Sequence, residues 1–147
     1  LVDLTDVGAH RDLVLGSAIH SGEWLSDATH ALARIAPSLT GRRIWTFSVA
    51  TIGETSSLLP RTLSRYLSRR RPEPTDVVRL RDSAATVVDH RYFAGVVAPG
   101  DWPGLGRIAF RVMGGRYGDG RDWSDIDRWA DSIGRECGDE TEFGRHP

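Results

Sequence analysis

Three short apolar runs set the limits on what this chain can fold into: DLVLGS at residues 12–17, RRIWTFSV at 42–49 and DHRYFAGVV at 89–97. Each is rich in β-branched or aromatic side chains and ends near a turn-forming residue, as strands do. The first run is apolar on successive residues, not alternate ones, which suits a strand covered on both faces. Between the runs the pattern changes to a helical period. Over 23–36, Leu25, Ala28, Leu32 and Ile35 share one face, Asp27, His30 and Arg34 lie off it, and Pro37 ends it. A basic helical piece at 63–71 runs into Pro72-Glu73-Pro74, and Thr75 or Asp76 caps another helix reaching about residue 85. Two more helices are predicted at 102–113 and from Asp122 onward. In the second, Asp122 caps, Asp125 favours the first turn, and Trp123, Ile126, Trp129, Ala130 and Ile133 form the buried stripe. No repeat or linker divides the chain. Alternating strands and helices in one domain predict an α/β fold, a parallel sheet with helices on both faces.

Composition removes several functions. The net charge of −1 gives no bulk field for nucleic acid or an anionic surface. The arginines at 61, 65, 69, 70 and 71 have only Tyr66 among them, so they read as a solvated helix face and no nucleic-acid partner is expected. All nineteen basic residues are Arg, which excludes a Walker lysine, a Schiff base and a receiver-type phosphoacceptor site. Cys137 is alone, so there is no disulfide framework, and a reducing cytoplasm is the expected setting. No apolar run reaches the ~18 residues of a membrane span. The five histidines lack metal-ligand spacing and no GxSxG nucleophile motif is present.

Ligands of open α/β sheets bind beyond the carboxyl ends of the strands. Two such ends are rich in small residues, GSAIHSGEW at 16–24 and SVATIGE at 48–54. They read either as ordinary tight turns or as backbone-lined approaches to a planar heterocycle, with His20 or Trp24 stacking on a ring.

The segments DLVLGSAIHSGEW, IWTFSVATIGE, DHRYFAGVV and DWSDIDRWA, with GLGRIAFRVMGG before the last, resemble the flavodoxin-domain family. Within it they are similar to the menaquinone-dependent protoporphyrinogen IX dehydrogenases and their actinobacterial homologues. The resemblance runs over residues 2–136. It implies a flavodoxin-like three-layer fold and FMN bound with its ring between two loops. Those loops match Ser17, Ala18, Ile19, His20, Ser21 and Gly22, and Ser48, Val49, Ala50, Thr51 and Gly53. It further implies an FMN-dependent oxidoreductase or electron-transfer protein, quinone-linked and acting on a porphyrinogen-like donor, in which the cofactor carries the electrons. No residue stands out as a catalytic acid or base.

One departure accompanies the match. The family's Ser/Thr-Gly phosphate loop has no counterpart, and LVDLTDV reads as the end of a strand. The expectation is a domain over 1–137 that lacks its first strand, with a flexible tail at 138–147. Such a chain alone should hold FMN weakly or not at all, and should offer strand 12–17 as an open edge for homo-oligomer formation. The alternative function is a cofactor-free flavodoxin-like remnant acting as an interaction module. A last feature is the apolar side of the 102–113 helix, formed by Trp102, Leu105, Ile108, Ala109, Val112 and Met113. It is expected to pack on the sheet; with Arg107, Arg111 and Arg116 it would alternatively face a quinone, a porphyrin or the membrane interface through 102–116. The GxGxxA spelling at 104–109 lacks the strand-loop-helix setting of a dinucleotide site.

Overall fold

The computed structural model describes residue 7, residues 10–101 and residues 104–143. Strand β1 (Asp12–His20) turns back through Ser21 and Gly22 into the two-residue β2 (Glu23–Trp24). Helix α1 (Ser26–Ile35) leads to β3 (Arg43–Ala50). Helices α2 (Arg61–Ser68) and α3 (Thr75–Arg81) precede β4 (Thr86–Ala94). After a small antiparallel pair, β5 (Val96–Val97) with β6 (Gly118–Asp119), that brackets α4 (Leu105–Val112), the chain ends in α5 (Trp123–Phe143).

The main sheet has the order β2-β1-β3-β4, with β1, β3 and β4 parallel. It is an α/β sheet with helices on both faces, as the alternating pattern predicts. Ile44 on one face packs with Trp24, Leu32, Ile35, Leu39, Val77 and Leu80, which places α1 and α3 there. Its neighbour Trp45 points the other way and packs with Phe93 and Trp129, which places α5 opposite. Phe47, Phe93 and Trp129 meet edge-on or tilted, with ring centroids 5.4–6.1 Å apart, an attractive arrangement for aromatic quadrupoles. A third cluster of Ile52, Leu58, Leu59, Val97 and Phe110 lies beyond the strands' carboxyl ends.

The structure departs from the sequence reading at four places. First, β1 runs three residues past Ser17, because Ser21 and Gly22 both take left-handed φ, of 54° and 88°, and close a tight hairpin. The helix expected from residue 23 therefore starts at Ser26. Second, the third apolar run is broken after Ala94: a Cβ at Gly95 would sit 2.6 Å from Val49 Cγ1, and the chain beyond it joins a different sheet. Third, α5 continues through Gly138 to Phe143, where a tail was expected from 138; one glycine lowers helix stability by only about 1 kcal/mol and does not stop a helix. Fourth, α4 does not pack its apolar stripe on the sheet. It turns Phe110 inward, a residue outside that stripe, and leaves Leu105, Ile108 and Val112 exposed. Trp102 of the expected stripe and the opening residues 1–6 lie outside the described residues, as do 144–147.

On the side of β1 away from β3, the only ladder partner among the described residues is β2, at Ile19 and His20. Residues 12–18 have no strand beside them there among the described residues. Val14 is exposed, and a shallow groove runs from Val14, Leu15 and Gly16 to Trp24, Ala28 and Ile35.

Candidate functional site

Ser17 pairs with Ser48 and Ala18 with Val49 across β1 and β3. The two predicted segments therefore lie side by side at the carboxyl end of the sheet. Their polar groups, however, are largely used within the protein. The Ser17 hydroxyl donates to the Ala18 carbonyl at 2.7 Å and accepts the Leu25 N–H at 3.2 Å. The Ser48 hydroxyl accepts the Trp24 indole N–H at 2.9 Å, and Trp24 is buried, with its remaining exposed edge lining the groove beside β1. Ile19 and His20 are hairpin residues facing Trp24 and Glu23, with Ser21 and Gly22 as the turn. The Ala50 carbonyl accepts Gly95 N–H at 2.8 Å and the Thr51 carbonyl accepts Leu58 N–H at 2.9 Å. Gly53 is required by packing, since a Cβ there would sit 2.4 Å from the Ala94 nitrogen.

The cavity at this end opens one step further along, after β3. A cleft of about 420 Å³ is walled by residues 52–57 on one side and by α2 on the other. Arg61, Ser64, Arg65, Ser68 and Arg69 recur at helical spacing along the α2 face that forms the wall. The opposite side of α2 carries Leu63 and Leu67, which pack on the third cluster and fix the helix orientation. Arg116 reaches the same cleft from the segment before β6, where its N–H bonds to the Leu58 carbonyl at 2.9 Å. Thr55, Ser56 and Ser57 add hydroxyls from the facing loop. No residue of 17–22 forms part of this wall.

Arg71 holds that loop in place. Its guanidinium lies 3.2 Å from the Tyr92 ring centroid, donates to the Ile52 carbonyl at 2.7 Å and pairs with Glu54 at 3.6 Å. Burial lowers the Arg71 pKa, and neighbouring Tyr92 and Glu54 act against that shift. Arg70 turns away and lies over Tyr66. Arg61, Arg65, Arg69 and Arg116 have no ion-pair partner among the described residues. Like charges at i,i+4 destabilise a helix by about 0.2–0.5 kcal/mol per pair, so an anion in the cleft would relieve repulsion that the free protein carries.

Beneath the sheet lies a separate polar group. Thr46 Oγ1 is 2.8 Å from His90 Nδ1, Ser48 Oγ is 3.5 Å from Nε2, and the ring meets Tyr92 edge-on at 4.7 Å. Burial pushes the His90 pKa down to about 4. On the α5 face, the buried Asp125 carboxylate pairs with Arg91 at 2.6 Å and Arg128 at 3.2 Å. The Trp129 indole donates to Asp89 at 2.8 Å.

Chemically, the cleft is a cationic, hydroxyl-lined site suited to an organic anion. No cluster of His, Cys, Asp and Glu among the described residues is arranged to hold a metal ion. The sequence places Arg61, Arg65 and Arg69 on a solvated face and groups Arg116 with the 102–113 helix; Ser56, Ser57, Ser64 and Ser68 carry no expectation there. The available signal was the alternation of Arg and Ser at positions 61, 64, 65, 68 and 69. The chain matches no protein-family model, no curated protein and no solved structure.

Proposed function

We propose that this chain is a flavodoxin-like domain that binds an organic phosphate, with flavin mononucleotide as the ligand, and works as an oxidoreductase or electron-transfer protein. The observation that carries the proposal is the arginine and hydroxyl cleft at the carboxyl end of β3, the region where open α/β sheets hold ligands. Arg61, Arg65 and Arg116 supply the fixed charge a phosphate needs, and arginine matches phosphate geometry in a bidentate way. The Thr55, Ser56 and Ser57 hydroxyls line the facing wall but already donate to Asp122, the Gly120 carbonyl and the Thr51 carbonyl, so the arginines carry the recognition. The cleft volume lies at the lower end of the ~300–1,000 Å³ typical of small-molecule sites.

The fit divides between the two ends of the ligand. The phosphate end suits the cleft. The ring end has less to offer it, because the Ser17 and Ser48 hydroxyls and several loop carbonyls are already bonded within the protein. This favours weak binding, in the micromolar range or above. When bound, the flavin supplies the electron chemistry, and the chain contributes charge neutralisation and placement. A quinone partner, a porphyrinogen-like donor and a cytoplasmic setting belong to the same proposal and rest on the sequence resemblance and the lone Cys137. Among the described residues no helix is long and apolar enough to cross a membrane.

A second reading, a cofactor-free interaction module, is favoured by one observation: the Ser17 and Ser48 hydroxyls and the Ala18, Ala50 and Thr51 carbonyls are engaged internally. Thermal melts with FMN, riboflavin and inorganic phosphate separate the two. The first reading predicts that FMN raises the melting temperature more than riboflavin does, with a smaller rise for phosphate alone. An equal response to FMN and riboflavin removes the cleft from the account. No response to any of the three leaves the interaction module.

A further inference from the structure

The exposed side of α4 is the largest anomaly of the surface. Leu105, Ile108 and Val112 are 83%, 60% and 81% exposed, and Met113 is partly exposed beside them. They fall at i, i+3 and i+7, one continuous stripe, while Phe110 on the far side anchors the helix in the third cluster. Single exposed apolar residues need no explanation, but a stripe of them along one helix marks a contact surface.

The charges beside the stripe indicate what it contacts. On a helical wheel Arg107 and Arg111 lie next to each other, between the exposed stripe and the buried Phe110 edge. Residues 104–113 contain no acidic side chain. At the far end of α4, Gly114 lies against Pro60, which puts the helix terminus beside the start of α2 and its Arg61. Arg116 stands in the same corner. An apolar stripe bordered by cations and continuous with a cationic cleft is complementary to a surface that is apolar inside and anionic at its boundary. A protein partner with an apolar groove would not require this arginine border, and a second copy of the chain would bring arginine against arginine.

We infer that α4 docks this protein on an anionic lipid surface. The helix lies in the plane of the interface, Leu105, Ile108, Val112 and Met113 enter the acyl boundary, and Arg107 and Arg111 face the headgroups. An eight-residue helix lies on a bilayer and does not span it. The inference is independent of the flavin reading, since none of the stripe residues lines the cleft.

The test is flotation of the full chain with vesicles of phosphatidylcholine alone and of phosphatidylcholine with one quarter phosphatidylglycerol. The wild type should float with the anionic vesicles, at least tenfold more strongly than with the neutral ones, and less as salt rises. Leu105→Ser with Val112→Ser should reduce binding at least tenfold while leaving the circular dichroism spectrum and the FMN response unchanged. Arg107→Glu with Arg111→Glu should abolish the preference for anionic lipid. Absence of wild-type binding, or equal binding by the serine variant, overturns the inference. So does a wild-type dimer in light scattering that the serine variant converts to monomer, which would assign the stripe to a second copy.

Discussion

The Glu23 carboxylate caps helix α3 from a different element, accepting the Thr75 backbone N–H at 2.9 Å and the Thr75 hydroxyl at 2.7 Å. α3 follows Pro74 and has no side-chain cap of its own, so its first free N–H is satisfied by the hairpin that β1 and β2 form. The hairpin is thus a clamp between the sheet edge and α3. The Thr75 hydroxyl holds the Glu23 carboxyl below the usual glutamate value, and the Thr75 N–H adds to that.

Glu23→Ala should therefore lower the melting temperature, and Thr75→Ala should cost little more once Glu23 is gone. A double-mutant cycle by thermal melts checks this coupling. The sign with pH follows from the depressed value. The contribution is present above the unfolded glutamate pKa and is lost as pH falls through the folded one. Additive single losses would show that the two residues act separately.

His90 gives a second acid-side dependence. Burial lowers its pKa from 6.5 to about 4. Above pH 6.5 the ring is neutral in both folded and unfolded chains and adds no pH dependence. Between about 6.5 and 4 the unfolded chain binds the proton first, so stability falls as pH falls through that window. The Thr46 and Ser48 hydroxyls and the Tyr92 ring contact the imidazole; the Glu73 and Asp89 carboxylates act against the shift and Arg81 and Arg71 with it, and burial outweighs them. Denaturant melts of His90→Gln against wild type should differ in slope across that window and run parallel above it. Parallel profiles throughout would refute the account of this site.

Gly53 distinguishes packing from ligand contact at the second predicted loop. A Cβ at this position meets the Ala94 backbone nitrogen, which cannot rotate away. Gly53→Ala should cost about 1–3 kcal/mol of stability, the usual range for overpacking, and shift the urea midpoint accordingly. If the variant keeps full stability and loses FMN response instead, the glycine serves the ligand and not the fold.

Much of the fold was legible because buried parallel strands leave a dense signal. RRIWTFSV at residues 42–49 delimits β3 to within a residue at each end, and Asp122 does cap α5, its carboxylate accepting the Asp125 N–H at 3.1 Å. The hairpin was missed because Ser17, Ala18 and Ile19 read as a small-residue loop; the Ser21-Gly22 pair was the available hairpin signal. The side of α4 that faces the protein was also misread. Six apolar residues on one side outweigh a single phenylalanine in any periodicity count, yet Phe110 is the residue that packs among Ile52, Leu58 and Leu59. The cleft was hidden for a different reason. Arginine and serine on a helix face look alike whether they meet solvent or a ligand, and only the opposing wall of residues 52–57 turns that face into a site.

Quenching of FMN fluorescence on titration with this chain, against the variant Arg65→Glu with Arg116→Glu, tests the central claim most directly. Both substituted side chains are exposed at the cleft wall, so the variant should melt like the wild type. The account predicts saturable quenching by the wild type in the micromolar range or above, weakened by rising salt and at least tenfold weaker for the variant. Absence of saturable quenching by the wild type, or equal quenching by the variant, would contradict it.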